Sequence, residues 1–313
     1  MNILVTGAAG LIGSHLVDFL LDSENSVVGV DNLSFGSLDN LSSALKNKRF
    51  SFIERDLSHN LDIDDKFDVI YHMASLKKVW DGSIRSNDVM AVNFLMTQNL
   101  VEKSIRDNSF LIFSSTSDIY GNSETFLENH DITMPPPRSI RYAYALSKWH
   151  SEQYIMNSVI EDNLKACVAR VFGCASYRSS KTWSGGHVPL FINLALQGKD
   201  IVIHGTGKQT RSISSAVDIA QGFHNISYSE TSCSGEIVNL GTNEETTVLE
   251  VAEYIIKKTQ SESKIIFDKN ALKDYKEINR RFANTKKARD LIGFEIKKST
   301  FEVIDEMIQS ATS

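Results

Sequence analysis

Short β-branched runs alternate with longer amphipathic stretches through the first half of the chain. Near-continuous apolar runs read as strands covered on both faces, and the 3.6-residue periodicity between them reads as the covering helices. The pattern predicts strands at Asn2–Val5, Ser26–Val30, Arg49–Glu54, Asp68–His72, Phe110–Ser114 and Ala166–Arg170, with helices at Leu11–Leu21, Leu38–Leu45, Asn87–Arg106 and Ala143–Ile160. Repeated strand–helix–strand units build a doubly wound α/β fold with a parallel sheet, whose ligands bind beyond the carboxyl ends of the strands. After Arg170 the pattern loosens, with glycines and serines crowding Gly173–Gly186 and a second turn-rich stretch at Gly205 and Gly207. Later helices are expected at Val248–Thr259 and Thr285–Ile292, around a strand at Lys264–Phe267. These pieces predict a smaller C-terminal domain: residues 1–170 and 212–242 form the sheet domain, and 171–211 with 243–313 form a substrate-binding domain that closes over it. There is no internal repeat, low-complexity tract or heptad run.

Composition narrows the class without naming it. The 313 residues are 42% hydrophobic and 23% charged, with a mean hydropathy of -0.18, as in an ordinary globular protein. No apolar run approaches the roughly 20 residues that cross a bilayer, and the chain enters its first strand with no basic segment ahead of it, so a cytoplasmic protein without membrane association is expected. Cys167, Cys174 and Cys233 are odd in number and widely spaced, which argues against disulfides and against a metal site. A net charge of -6 makes nucleic acid an unsuitable partner.

The segment Ile3-Leu4-Val5-Thr6-Gly7-Ala8-Ala9-Gly10-Leu11-Ile12-Gly13 reads as a strand, a glycine turn and a helix start. Gly7 permits the tight turn, Gly10 lets backbone approach a pyrophosphate, Gly13 allows helix and strand to pack closely, and the first-turn amides at Leu11 and Ile12 suit phosphate. Asp31 ends the second predicted strand, where a carboxylate holds a ribose 2'-hydroxyl and repels a 2'-phosphate, so NAD is expected over NADP. Asn32 follows it. Asp56-Leu57 after the third strand and Met73-Ala74 after the fourth complete an expected cofactor cleft of the Rossmann type.

Tyr144 and Lys148 stand four residues apart on one predicted helix face. A cation beside a phenol lowers its pKa, so a tyrosinate can take a proton from a sugar hydroxyl while hydride leaves the same carbon. Ser114-Ser115-Thr116-Ser117-Asp118 closes the fifth strand and offers hydroxyls to the same substrate oxygen.

With these residues in view, the sequence resembles the extended short-chain dehydrogenase/reductase family, in particular its NAD-dependent nucleotide-sugar epimerases, dehydratases and decarboxylases, over nearly the whole chain. Thr6–Gly13 is similar to the family's cofactor loop and Tyr144–Lys148 to its Tyr-x-x-x-Lys. The resemblance implies that Thr116 is the hydroxyl partner, that Lys77 serves cofactor and substrate, and that Asn93 supports the cofactor loop. It implies further that Arg211 grips the diphosphate, that His187 and Val188 contact the substrate, and that a second arginine comes from Arg280-Arg281. Of these two, Arg280 is favoured. The partner implied is a nucleotide sugar, and the assembly implied is a homodimer through the helices at Asn87–Arg106 and Ala143–Ile160.

Departures from the family pattern bear on the reaction. Gly173 stands where relatives carry an asparagine that reaches the substrate, Gly186 near another, and Ser212 where an aspartate is usual. Ser117-Asp118 replaces the paired carboxylates of a 4,6-dehydratase and is closer to a UDP-glucuronate decarboxylase. Epimerisation at C4 asks least of the side chains and is expected first, with decarboxylation and dehydration as alternatives. A catalytically silent NAD-binding scaffold is the alternative of another class.

Overall fold

In a computed structural model, residues 1–59, 63–77, 84–132, 142–181, 186–268 and 278–312 are described. In chain order they form β1 (Asn2–Thr6), α1 (Leu11–Asp22), β2 (Ser26–Asp31), β3 (Phe50–Glu54), β4 (Val69–His72), α2 (Ser86–Asp107), β5 (Phe110–Thr116), α3 (Ala143–Glu161), β6 (Lys165–Val171) and β7 (Cys174–Ala175). There follow α4 (His187–Leu196), β8 (Ile201–His204), β9 (Thr210–Arg211), β10 (Ser214–Ser215), α5 (Ala216–Ser227), α6 (Glu230–Cys233), β11 (Glu236–Leu240), β12 (Thr246–Thr247), α7 (Val248–Thr259), β13 (Ile265–Asp268), α8 (Lys286–Ile292) and α9 (Thr300–Thr312).

Seven strands form one sheet in the order β11-β6-β5-β4-β1-β2-β3, and every pairing in it is parallel. Alternate side chains of a strand point to opposite faces. Ile3 and Val5 therefore enter a layer with Leu16 and Leu20 of α1 and Ile219 and Phe223 of α5, whereas Leu4 packs with Leu100 of α2 and Ile155 of α3 on the other face. The strand order reverses between β1 and β4, so their carboxyl ends flank the crevice where a doubly wound sheet takes its ligand. A separate core joins Val188, Phe191 and Ile192 of α4 to Ile201 and Ile203, Val251 and Ile255, and Val303, Ile304 and Met307.

Two expectations change. The helix expected at Leu38–Leu45 is a pair of 3-10 turns, Leu38–Leu41 and Ala44–Lys46, the first capped by Ser37, because the serines and asparagines there compete for backbone hydrogen bonds. The packing crosses the expected division of the chain: Ala288, Ile292 and Phe294, expected in the smaller domain, bury against the sheet's core, and Ile213, expected in the sheet domain, joins the separate core. Among the described residues, no helix is long and apolar enough to cross a membrane.

Candidate active site

The chain leaves β1 through Gly7 at φ +66° and enters α1 at Gly10. A Cβ on Gly7 would lie 2.8 Å from the Ala74 amide nitrogen, and one on Gly13 would lie 2.1 Å from the Gly7 carbonyl oxygen. Only glycine fits where β1, the β4 end and α1 converge so closely. No side chain caps α1, which leaves the first-turn amides, Leu11 and Ile12 among them, and the positive end of the helix dipole for an anion. Asp31 closes β2, accepting hydrogen bonds from the amides of Ala9 at 3.1 Å and Leu33 at 2.9 Å. Burial raises its carboxyl pKa while those amides pull it down.

The remaining cofactor candidates follow the ends of β2, β3 and β4 or, for Asn93, stand on α2. Asn32 accepts from the Ser34 amide at 3.1 Å, Asp56 accepts from the amide and hydroxyl of Ser58 at 2.9 and 2.7 Å, and Leu57 is buried. The amides of Met73 and Ala74 both donate to the Thr6 hydroxyl, at 3.1 and 3.2 Å, fixing the β4 end against β1. Asn93 of α2 clamps the next loop: its carbonyl oxygen accepts from the Leu76 amide at 2.7 Å, and its amide donates to the Leu76 carbonyl and the Ser147 hydroxyl, each at 2.9 Å. Lys77 ends that described loop, exposed, with its charge felt by the Cys174 thiol. The glycine turn, the uncapped helix end and the buried acid fit a dinucleotide.

Tyr144 and Lys148 lie one turn apart on α3. The Lys148 ammonium donates to the Ser114 carbonyl at 2.8 Å and sits 4.5 Å from the Phe113 ring centre. Burial pulls its pKa down to about 7, with the Glu152 charge opposing. Tyr144 reaches Ser75 by a hydrogen bond, and burial pushes its phenol upward, with Asp118 and Cys174 adding to the rise. The phenol is thus raised and not lowered as expected from the sequence: burial dominates it, and the ammonium is directed at Ser114. Thr116 ends β5 and accepts from the Asp118 amide at 3.2 Å, which leaves its own proton for another acceptor. Ser117 is buried in the 3-10 turn that follows, Ser117–Tyr120.

The basic cluster separates into an outward and an inward arginine, the reverse of the favoured order. Backbone bonds from Thr210 to Asn279 and from Ser212 to Arg281 lay residues 279–281 along β9 as an extended segment, so neighbouring side chains point to opposite sides. Arg280 faces out and makes a bidentate pair with Glu245 at 2.6 and 2.9 Å. Arg281 faces in, forms an ion pair with Asp118, and keeps Nε and Nη2 buried without a hydrogen-bond partner. The structure thus turns the favoured Arg280 away from the cleft and brings its neighbour to it. Arg211 donates to the carbonyls of Thr210 and Ile278 at 2.7 and 2.8 Å. His187, first residue of α4, has a buried Nε2 without a partner; burial and then the Arg211 charge hold its pKa near 4. Val188 beside it is buried. The two departures at Gly173 and Ser212 are in contact, since a Cβ on Gly173 would meet the Ser212 carbonyl oxygen at 2.4 Å. Ser75 and Cys174 join the site unannounced, and Arg281 was the less favoured of the two arginines.

Fold and site together define a dinucleotide-binding α/β protein with a Tyr–Lys pair at the mouth of the cofactor crevice. The chain belongs to the NAD dependent epimerase/dehydratase family, whose sequence profile matches residues 3–241; NAD is therefore the cofactor suited to the glycine turn. It is 30% identical to a UDP-N-acetyl-alpha-D-glucosaminuronate decarboxylase of Bacillus cytotoxicus, over 98% of this chain and 96% of that one. It is 31% identical to UDP-glucuronic acid decarboxylase 1 of Danio rerio, over 98% of this chain and 72% of that one. Among solved structures it is similar to the UDP-glucuronic acid 4-epimerase of Bacillus cereus in complex with UDP-glucuronic acid and NAD, with a TM-score of 0.89, 25% identity, and coverage of 100% and 99% of the two chains.

Proposed function

We propose that this chain is an enzyme that oxidises a nucleotide-linked uronic acid at C4 and then releases its carboxyl group as carbon dioxide. The observation that carries this reading is Arg281, a buried guanidinium paired with Asp118 and holding two further unpartnered nitrogens beside the turn that carries Ser117. Such a cation suits a substrate carboxylate, which a decarboxylase and a 4-epimerase of uronates would both bind, so it supports the uronic acid as substrate. The names of the two relatives, both uronate decarboxylases, support decarboxylation, which puts it ahead of the epimerisation expected first from sequence.

NAD, when bound, supplies the hydride acceptor and returns the hydride. Tyr144 takes the C4 hydroxyl proton, Thr116 donates to the same oxygen, and Lys148 holds the proton balance of the phenol. With C4 a ketone, the C6 carboxylate belongs to a β-keto acid. Arg281 orients it, the C5–C6 bond breaks, and the electron pair passes into the C4–C5 enolate. Ser117 and Asp118 relay a proton from solvent to C5. Arg211, His187 and the α4 N-terminus take the diphosphate. Two chains pair through α2 and α3, where Met90 and Leu95 are exposed and Phe94 stacks on His150 with ring centres 4.2 Å apart.

UDP-glucuronate and its 2-acetamido counterpart, incubated with the NAD-loaded protein, should lose the mass of carbon dioxide with no net redox change. Unchanged mass with inverted C4 would assign an epimerase instead, and loss of water a dehydratase. No turnover of any nucleotide sugar would favour the silent scaffold.

A further inference from the structure

Behind the catalytic face lies a buried polar network that the chemistry above leaves unused. Tyr144, Lys148 and Glu152 follow one another at intervals of four along α3, so they share one stripe of the helix. Glu152 is buried with Lys148, 3% exposed. Its two oxygens accept from Arg170 Nε at 3.1 and 3.2 Å and from Nη2 at 2.8 Å, and the Ser115 hydroxyl donates to it as well. Arg170 Nη1 continues to the Tyr120 hydroxyl at 3.0 Å, at the end of the 3-10 turn that carries Ser117 and Asp118. Tyr120 donates to Asn239 at 2.9 Å, and Asn239 donates to the carbonyl of Asn284 at 3.2 Å, three residues beyond Arg281.

We propose that Glu152 is a positioning residue of this active site: its carboxylate is the counter-charge of buried Lys148 and the anchor that ties the lysine's helix to the strand end and turn bearing Thr116 and Asp118. The surroundings of Lys148 explain why a counter-charge is needed. From β5 it meets the Ser114 carbonyl and the Phe113 ring. From β4 it faces His72, which burial and the lysine itself keep neutral. From α2 it has the uncharged Asn93, held by Ser147, and from β6 Arg170 stands behind Glu152. Tyr144 and Asp118 lie on the cleft side. Burial alone drives the ammonium toward deprotonation, and Glu152 is the group that opposes it. Without that carboxylate, two cations would share one dry site.

The inference rests on the Tyr144–Lys148 pair and not on the fate of the oxidised sugar, so it is tested on the ligand-free protein. Lysines labelled with 13C at Cε are titrated by NMR, and the Lys148 signal is the one missing in Lys148→Met. Glu152→Gln should move the Lys148 midpoint down by about one unit, the order of effect of losing an opposite charge one helical turn away. Because that variant strands Arg170 without a partner, Glu152→Gln combined with Arg170→Met is measured beside it. The double variant leaves no buried charge of that pair unmatched, and its midpoint should be lowered as well. A merely structural ion pair would be rescued in the double variant, so a midpoint there within about 0.3 unit of the wild-type value overturns the proposal.

Discussion

Replacing Lys148 by methionine should make the ligand-free protein more stable at neutral pH while abolishing its chemistry. The lysine is 2% exposed, and burial takes its pKa from 10.5 to about 7. Below pH 7 the folded and unfolded chains both carry the proton, and folding bears the whole desolvation penalty. Between pH 7 and 10.5 the unfolded chain binds the proton and the folded one does not, so wild-type stability rises with pH by up to about 1.4 kcal/mol per unit. Above 10.5 the penalty has vanished. Across that window, wild type should gain on the order of 4 kcal/mol relative to the methionine variant, which has nothing to titrate at this position. The lost bond to the Ser114 carbonyl offsets part of the variant's advantage, by about 1.5–3 kcal/mol for a charged donor. That bond is already contained in the pKa near 7, so it shifts the constant offset between the two proteins and leaves the pH-dependent gain as it stands. Urea denaturation of both proteins at half-unit steps from pH 6.5 to 10 measures the difference, and the other tyrosines and cysteines cancel in the subtraction. A difference that stays flat to within about 1 kcal/mol over three pH units would refute the reasoning.

Other outcomes follow from the same geometry. Tyr144→Phe should lower turnover by about 10²- to 10⁴-fold, the usual contribution of a positioned acid–base group, with calorimetric affinity for the nucleotide sugar nearly unchanged. Arg281→Met should abolish carbon dioxide release from a nucleotide-linked uronate, whereas Arg280→Met, which breaks the pair with Glu245 and the stacking on the Phe282 ring, should stay within a few-fold of wild type; equal losses in the two would undo the assignment of the inward arginine. Gly173→Ala drives a Cβ to 2.4 Å from the Ser212 carbonyl oxygen and should cost about 1–3 kcal/mol in urea unfolding, as over-packing against backbone does. Phe94→Glu should convert a dimer to monomers by light scattering, and a wild-type monomer would dispose of the proposed α2–α3 pairing.

The parallel sheet was legible because its strands are apolar on both faces and its first helices are long and strongly periodic. What escaped is set by distant partners. In α5, Gly222 resembles a helix breaker, yet a Cβ there would lie 2.8 Å from the Phe294 ring; its reason lies seventy residues away. At the start of α4, Gly186 fell in the turn-rich stretch Gly173–Gly186, although it is the residue that precedes the helix. The helices α4, α5 and α9 and the edge strand β11 were accordingly not drawn. At the site, residue types and spacing pointed to the cofactor turn and the Tyr–Lys stripe. Proton affinities were beyond reach, since burial decides them: the phenol was expected low and is high. The inward arginine was beyond reach too, since it depends on the register of residues 279–281 against β9.

That register makes the basic cluster sensitive to length rather than to composition. Arg280 and Arg281 differ only in parity along an extended segment, and the bonds to Thr210 and Ser212 fix that parity. A slip of one residue in the pairing would present Arg280 to Asp118 and send Arg281 to solvent, exchanging their roles with no change of side chain. A relative that carried the same two arginines one residue out of phase would look unchanged by composition yet be rewired at its active site.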